Sequence, residues 1–351
     1  MQQIAKMRIK KVITYSIVGF VLGLTAGFIS TLLDDSNRVD RVFISLSGGL
    51  LGLTLGFQFG YLEEFVWRSI SRKVSFVTFT IVQSLTYLIL IILWLILVLT
   101  IENIVNDKMD IFEGMAHYIS KENFLRDIIF AAIMTIILII IGKLKMLYNS
   151  VDLFSLLTGK YYYPEEETRV IMFTDLVGST TLAEEMGAIK YSNFLQHYFS
   201  NVSESITAWG GTVYQYVGDE IVISWKDKRK NNSQNAINCH FDMLRIIENK
   251  RKLYLDTYGS VPRFRSGIHK GTIITTLVGE RTKELAFHGD TVNTTARIEE
   301  LCKKFNCSCL VSEEIIRDIT VSDQFKVDKI SDVAIRGKSK SLQLFSIEKS
   351  L

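Results

Sequence analysis

Asp175 closes a short apolar run at 169–175 (RVIMFTD), and the small-residue turn Leu176-Val177-Gly178-Ser179-Thr180 follows it. The run reads as a buried strand and the segment beyond the turn as a helix. A turn that opens a helix presents free backbone N–H groups, where phosphates bind readily. A carboxylate at the strand tip beside it stands where a phosphate-bound cation would sit. Taken singly, Asp175 reads first as a helix cap. Asp219, with Glu220 beside it, lies between two β-rich runs, TVYQYV (212–217) and EIVISW (220–225). Those runs read as a hairpin, and Asp219 alone reads as turn chemistry. If this hairpin pairs with the first strand, the two aspartates end side by side. Carboxylates about 4–5 Å apart repel unless neutralised, and a divalent cation does that best.

Further along, 188–209 reads as a helix ended by Gly210-Gly211, and 231–258 as one long polar helix. Residues 264–270 and 272–279 read as a strand pair turning around Gly271. After 284–288 comes GDTVNTTAR (289–297), in which Asn293 and Arg297 are four apart and share one helix face. An amide and a guanidinium on one face suit a ribose and a phosphate. Alone, the segment reads as a capped helix with a solvent-facing arginine.

The segments FTDLVGST, VYQYVGDE, GDTVNTTAR and IRGKSK, in this order and spacing, resemble the class III adenylate/guanylate cyclase catalytic domain from about residue 156 to 351. LLTGKYYYPEEETR just upstream resembles the lead-in of a bacterial membrane-bound subgroup. The resemblance implies a ferredoxin-like βαββαβ fold of the α+β class, working as a homodimer. It also implies roles residue by residue. Asp175 and Asp219 match the metal-binding carboxylates, with Leu176 placed in the same metal set. Gly178, Ser179 and Thr180 match the triphosphate-cradling turn, and Arg336 matches a basic residue on the outer phosphates, where lysine is usual. Asn293 matches the residue that positions the ribose, and Arg297 the one that meets charge on the α-phosphate. In that family two Mg²⁺ or Mn²⁺ ions serve each site, the carboxylates come from one chain, and the amide and guanidinium come from the other.

The base-reading positions depart from the family pattern. Gln215 stands where adenylate cyclases usually carry lysine, and Ala286 where they carry aspartate or threonine. A glutamine amide both donates and accepts, so it can face either purine, whereas alanine offers no polar atom. The guanylate-type pair, glutamate with cysteine, is missing too. The expectation is ATP, with GTP or mixed specificity as the alternative.

The elements that must carry this site follow an apolar first half. The chain has 351 residues, 48% of them hydrophobic, and a formal net charge of +3. That charge is too mild, and too free of long basic runs, to indicate nucleic acid. Apolar stretches near 12–33, 42–62, 76–101 and 128–147 are long enough to span a bilayer, so residues 1–147 are expected to form a four-helix transmembrane bundle. Lys6, Arg8, Lys10 and Lys11, then Arg68, Arg72 and Lys73, then Lys143 and Lys145 mark the cytosolic side. Both termini are therefore expected in the cytosol, and the chain in the inner (cytoplasmic) membrane. Glycines 19, 23 and 27, and 48, 52, 56 and 60, form ladders that let helix backbones approach, most simply within one chain. No charged residue sits deep in a span, which argues against an ion pathway. Residues 148–168 read as a linker, either passive or transducing, and 169–351 as the catalytic domain. The four cysteines, Cys239, Cys302, Cys307 and Cys309, all lie in the polar half, and Cys307-Ser308-Cys309 reads as alternation on a buried strand. Outside the cyclase reading stand a nucleotide-binding membrane receptor without turnover and a small transporter with a regulatory domain.

Overall fold

The computed structural model describes residues 2–33, 38–67, 70, 74–107, 110, 112–113, 116, 129, 133, 136, 139, 155, 158–227, 231–281, 283–320, 324–333 and 341–349. The chain divides into two compact units, Met1–Met146 and Leu147–Leu351.

In the first unit α1 (Gln2–Leu33), α2 (Arg38–Tyr61) and α3 (Phe76–Asp107) are helical, and a π-helical turn, Leu62–Trp67, extends α2. Windows of α1 (Ile4–Ile29) and α3 (Val77–Trp94) are long and apolar enough to cross a membrane. The span expected at 128–147 lies outside the described residues, apart from helical Ile129, Ile133, Ile136 and Ile139. The glycine ladders bring α1 and α2 together within the chain. A Cβ at Gly19 or Gly23 would overlap the carbonyl oxygen of Gly52 or Gly48, so only glycine permits this approach. Apolar side chains such as Ile17, Leu22, Leu50, Val77 and Leu93 point outward, as a lipid-facing surface would have them. At one end Lys11 pairs with Glu64 at 2.8 Å, while Glu63 accepts from Gln83 at 2.6 Å and Tyr87 at 2.8 Å.

The second unit is α+β. Its elements are β1 (Glu165–Leu176), α4 (Ser179–Met186), α5 (Ala188–Ala208), β2 (Thr212–Val217), β3 (Glu220–Lys226), α6 (Asn232–Asn249), α7 (Arg251–Tyr258), β4 (Phe264–Val278), β5 (Glu284–His288), α8 (Asp290–Lys304), β6 (Cys309–Ser312), α9 (Glu313–Asp318), β7 (Phe325–Val333) and β8 (Leu342–Lys349). The succession β1-α5-β2-β3-α6-β4 is the expected βαββαβ core. The strands form one sheet in the order β2-β3-β1-β4-β6-β8-β7, with β5 pairing to β4. β1 is central and buried on both faces from Val170 to Thr174, which its unbroken apolar run requires. On one face Val170, Met172 and Leu176 pack with Phe194, Tyr198, Val202 and Ile206 of α5 and Ile237 and Met243 of α6. On the other, Ile171 and Phe173 pack with Tyr161, Val222, Ile273, Leu285 and Phe287.

Three local expectations change. Residues 264–278 make one long strand rather than a pair around Gly271. Gly271 marks close packing instead of a turn, because a Cβ there would lie 2.5 Å from Thr291 Oγ1 on α8. The helix expected over 231–258 breaks at Lys250 into α6 and α7. Glu165–Thr168, expected in the linker, already pair with β4, so the sheet begins four residues earlier.

Candidate active site

β1 and β3 pair antiparallel up to Thr174 opposite Ile221, which brings the end of β1 to the β2–β3 turn. Asp175 and Asp219 meet there, close enough for the charge of Asp219 to act on Asp175. Burial first, and then the charge of Asp219, pushes Asp175 up to about 6, while the Leu176 N–H and the Arg265 guanidinium pull the other way. Oδ2 of Asp219 is buried with no hydrogen-bond partner. Burial, followed by the charges of Asp175 and Asp219, raises Glu220 to about 7. Glu299 of α8 is also raised to about 7, by burial and then by Asp175 and Glu220.

Such an acidic cluster with an orphaned carboxylate oxygen is short of positive charge. Among the described residues no three His, Cys, Asp or Glu side chains gather as a metal cluster, which leaves the two aspartates as the candidate side-chain donors. That set suits Mg²⁺, which is bound by one or two carboxylates together with substrate phosphates. Leu176 is apolar and buried, so it can add only its carbonyl oxygen.

Gly178 takes a left-handed conformation (φ 75°, ψ 26°) at the start of α4, and no side chain caps the helix. The first N–H groups of α4, on Ser179 and Thr180, are thus open to an anion. Arg265 stands opposite Asp175 in the β1–β4 ladder. It was not singled out from the sequence, because its role depends on that register.

Asn293 and Arg297 sit on α8, where Thr291, Thr294, Thr295, Ile298 and Cys302 form the buried face. Asn293 is exposed and Arg297 half-buried. α8 is pressed onto β4, since a Cβ at Gly267 would lie 2.8 Å from the Glu299 Cα. Gln215 is exposed on β2, and Ala286 is half-buried on β5 between buried Leu285 and Phe287. Arg336 lies outside the described residues.

The four cysteines are free and buried. Cys309 opens β6, but Cys307 precedes the strand, so alternation on one strand does not describe the pair.

The family model of the adenylate and guanylate cyclase catalytic domain matches residues 161–349, more than half of the chain. The chain belongs to this family. Among curated cyclases, adenylate cyclase 2 of Rhizobium meliloti (strain 1021) is 36% identical over 193 residues, covering 55% of this chain and 53% of that protein. The adenylate cyclase of Anabaena cylindrica is 28% identical over 182 residues, covering 51% and 36% respectively. The chain thus spans about half or less of the length of these relatives. A solved bacterial light-regulated adenylyl cyclase shares the fold, with a TM-score of 0.52 and 17% identity over 65% of this chain and 67% of that one. The matched region starts at Tyr161, ahead of β1, so the cyclase domain takes in part of the segment expected as linker.

Proposed function

We propose that the chain is a membrane-bound adenylate cyclase that converts ATP to 3′,5′-cyclic AMP and pyrophosphate at a site shared by two copies of the chain. The observation that carries this reading is the meeting of Asp175 and Asp219, with the Asp219 Oδ2 left without a partner in an acidic, half-buried setting. Both carboxylates, with the Leu176 carbonyl, would hold two Mg²⁺ or Mn²⁺ ions. When bound, such ions lower the pKa of a ribose hydroxyl and screen a triphosphate.

The open N–H groups of Ser179 and Thr180 after Gly178, together with Arg265 and Arg336, take the β- and γ-phosphates. Asn293 orients the ribose so that its 3′-oxygen faces the α-phosphorus. That oxygen bonds to phosphorus, the bond to the β-phosphate bridging oxygen breaks, and the 3′ proton passes to solvent as pyrophosphate departs. Arg297 meets the charge that grows on the α-phosphate oxygens, a contribution that can reach several powers of ten in rate. In this reading Asn293 and Arg297 serve the site of a second copy, which is supported by the inner face of α8 being committed to β4 while Asn293 is exposed. The first unit, in the same reading, lies in the inner membrane, with the basic loops and both termini in the cytosol, supported by the two apolar windows in α1 and α3.

Full-length protein in membranes, supplied with ATP or GTP and Mn²⁺, tests this directly. Cyclic AMP should form, and Asp175→Ala should abolish it. Absence of either cyclic product would refute the enzyme reading and leave a nucleotide-binding receptor. Predominant cyclic GMP would move the specificity to guanine, which the two-way amide of Gln215 permits.

A further inference from the structure

β2 and β5 are not neighbours in the sheet, since β2 pairs with β3 and β5 with β4. In the cyclase reading Gln215 on β2 and Ala286 on β5 face the same base. Their sequence neighbours form the tie between the two strands. The rings of Tyr214 and Phe287 stack with centroids 4.0 Å apart and planes 9° apart, and the Tyr214 hydroxyl accepts the Phe287 backbone N–H at 3.1 Å.

A register shift puts Tyr214 in that position. Val213 pairs with Ile223 and Gln215 with Val222, so Tyr214 is the extra residue of a bulge. Val213 packs toward the helices α5 and α6, whereas Tyr214 packs on the opposite face with Val222. The bulge therefore turns Gln215, opposite Val222, to the Tyr214 side. Without it, strict alternation would aim Gln215 at the helices.

The Arg169 guanidinium lies 4.6 Å from the Phe287 ring centroid. A parallel ring already fills one face of Phe287, so Arg169 takes the other. Arg169 is almost fully buried, and it is held by two bonds to Glu167 Oε2 (3.0 and 2.6 Å) and one to Ser224 Oγ (3.2 Å). Although burial opposes it, Arg169 and the hydrogen bonds from Tyr161 and Lys160 keep Glu167 charged, lowered to about 2. The Tyr161 hydroxyl donates to Glu167 Oε1 at 2.9 Å, and its carbonyl accepts the Leu277 N–H of β4 at 2.9 Å.

We propose that Glu167, Arg169, Phe287 and Tyr214 form a positioning unit that sets Gln215 against Ala286 and so decides the choice between adenine and guanine. Tyr161 ties the lead-in segment to the same unit. The inference rests on the cyclase reading for its substrates. None of the four residues need touch the nucleotide; they act through the two that do.

The test uses full-length protein in detergent micelles with Mn²⁺, comparing wild type, Tyr214→Phe and Phe287→Leu. Tyr214→Phe keeps the stack and removes the acceptor of the Phe287 N–H, while Phe287→Leu removes the stack. The readouts are kcat and KM for ATP and GTP, and Kd for ribose-labelled fluorescent analogues of both. The ATP-to-GTP ratio of kcat/KM should change by about threefold or more in Tyr214→Phe and about tenfold in Phe287→Leu. The change should lie in KM and Kd, with kcat within about twofold. Equal weakening toward both nucleotides, or a lowered melting temperature with an unchanged ratio, would overturn the proposal; should Phe287→Leu not fold, Tyr214→Phe decides alone. Wild-type protein that binds both analogues but forms no cyclic product would refute the cyclase reading, and the Kd ratio would still decide this one. Binding of neither analogue overturns both.

Discussion

Asp175 and Arg265 face each other across the β1–β4 ladder. The arginine is the cation that lowers the proton affinity of Asp175, and it acts on Glu299 in the same sense. Among the described residues the Arg265 guanidinium is set against Asp175, Asp219, Glu220 and Glu299, and burial with mutual charge raises Asp175, Glu220 and Glu299, which has measurable consequences.

The first is a pH dependence of stability. Asp175 is raised to about 6, and Glu220 and Glu299 to about 7. A carboxyl raised by folding keeps its proton in the folded chain at a pH where the unfolded chain has lost it. Between the ordinary carboxylate value near about 4 and these raised values the folded state binds more protons, so stability falls as pH climbs through that window. Metal-free protein should melt at a higher temperature at pH 5 than at pH 8. Mn²⁺ added at pH 8 should restore the difference, and Asp219→Asn should reduce both effects. Equal melting temperatures at the two pH values would contradict this account.

The second concerns the shared site. Asp175→Ala and Arg297→Ala chains should each lose about a thousandfold or more in turnover. Co-expressed, they should recover a substantial part if the proposed sharing holds, since one composite site in the mixed dimer would keep both halves. Failure of two folded, dimerising variants to rescue each other would place the site within one chain.

The third tests the seat of α8. A Cβ at Gly267 would lie 2.8 Å from Glu299 Cα, and backbone there cannot give way cheaply. Gly267→Ala should lower the melting temperature by several degrees, equivalent to about 1–3 kcal/mol, and cut turnover with it by shifting Asn293 and Arg297. A variant with native melting and native turnover would show that α8 yields freely.

The fourth concerns the base. Gln215→Lys together with Ala286→Asp should raise the preference for ATP over GTP by about tenfold or more, since the pair would install the lysine and the aspartate that adenylate cyclases usually carry at these positions. Competition between the two nucleotides in one reaction reads this directly, and an unchanged product ratio would remove both positions from base reading.

Much of this protein was legible as residue types in order. The RVIMFTD run, the Gly218-Asp219 turn and the Asn293/Arg297 pair each have a local pattern, and the hairpin pairing expected for β1 and β3 is the one observed. The glycine ladders likewise announced close helix packing before any partner was known. Gly271 misled, because a glycine that makes room for α8 looks the same in sequence as a glycine that makes a turn.

Amino-acid sequence by itself determined the chemistry available here: two carboxylates at strand ends, an open helix start, an amide and a guanidinium on one helix, and an apolar half able to enter a bilayer. Tertiary structure alone decided that Arg265 stands against Asp175 and that Tyr214 aims Gln215 through a bulge and stacks on Phe287. Local periodicity reports which face a residue takes, but not which distant strand lies alongside or in what register. Those are settled only when the whole sheet closes on both its cores.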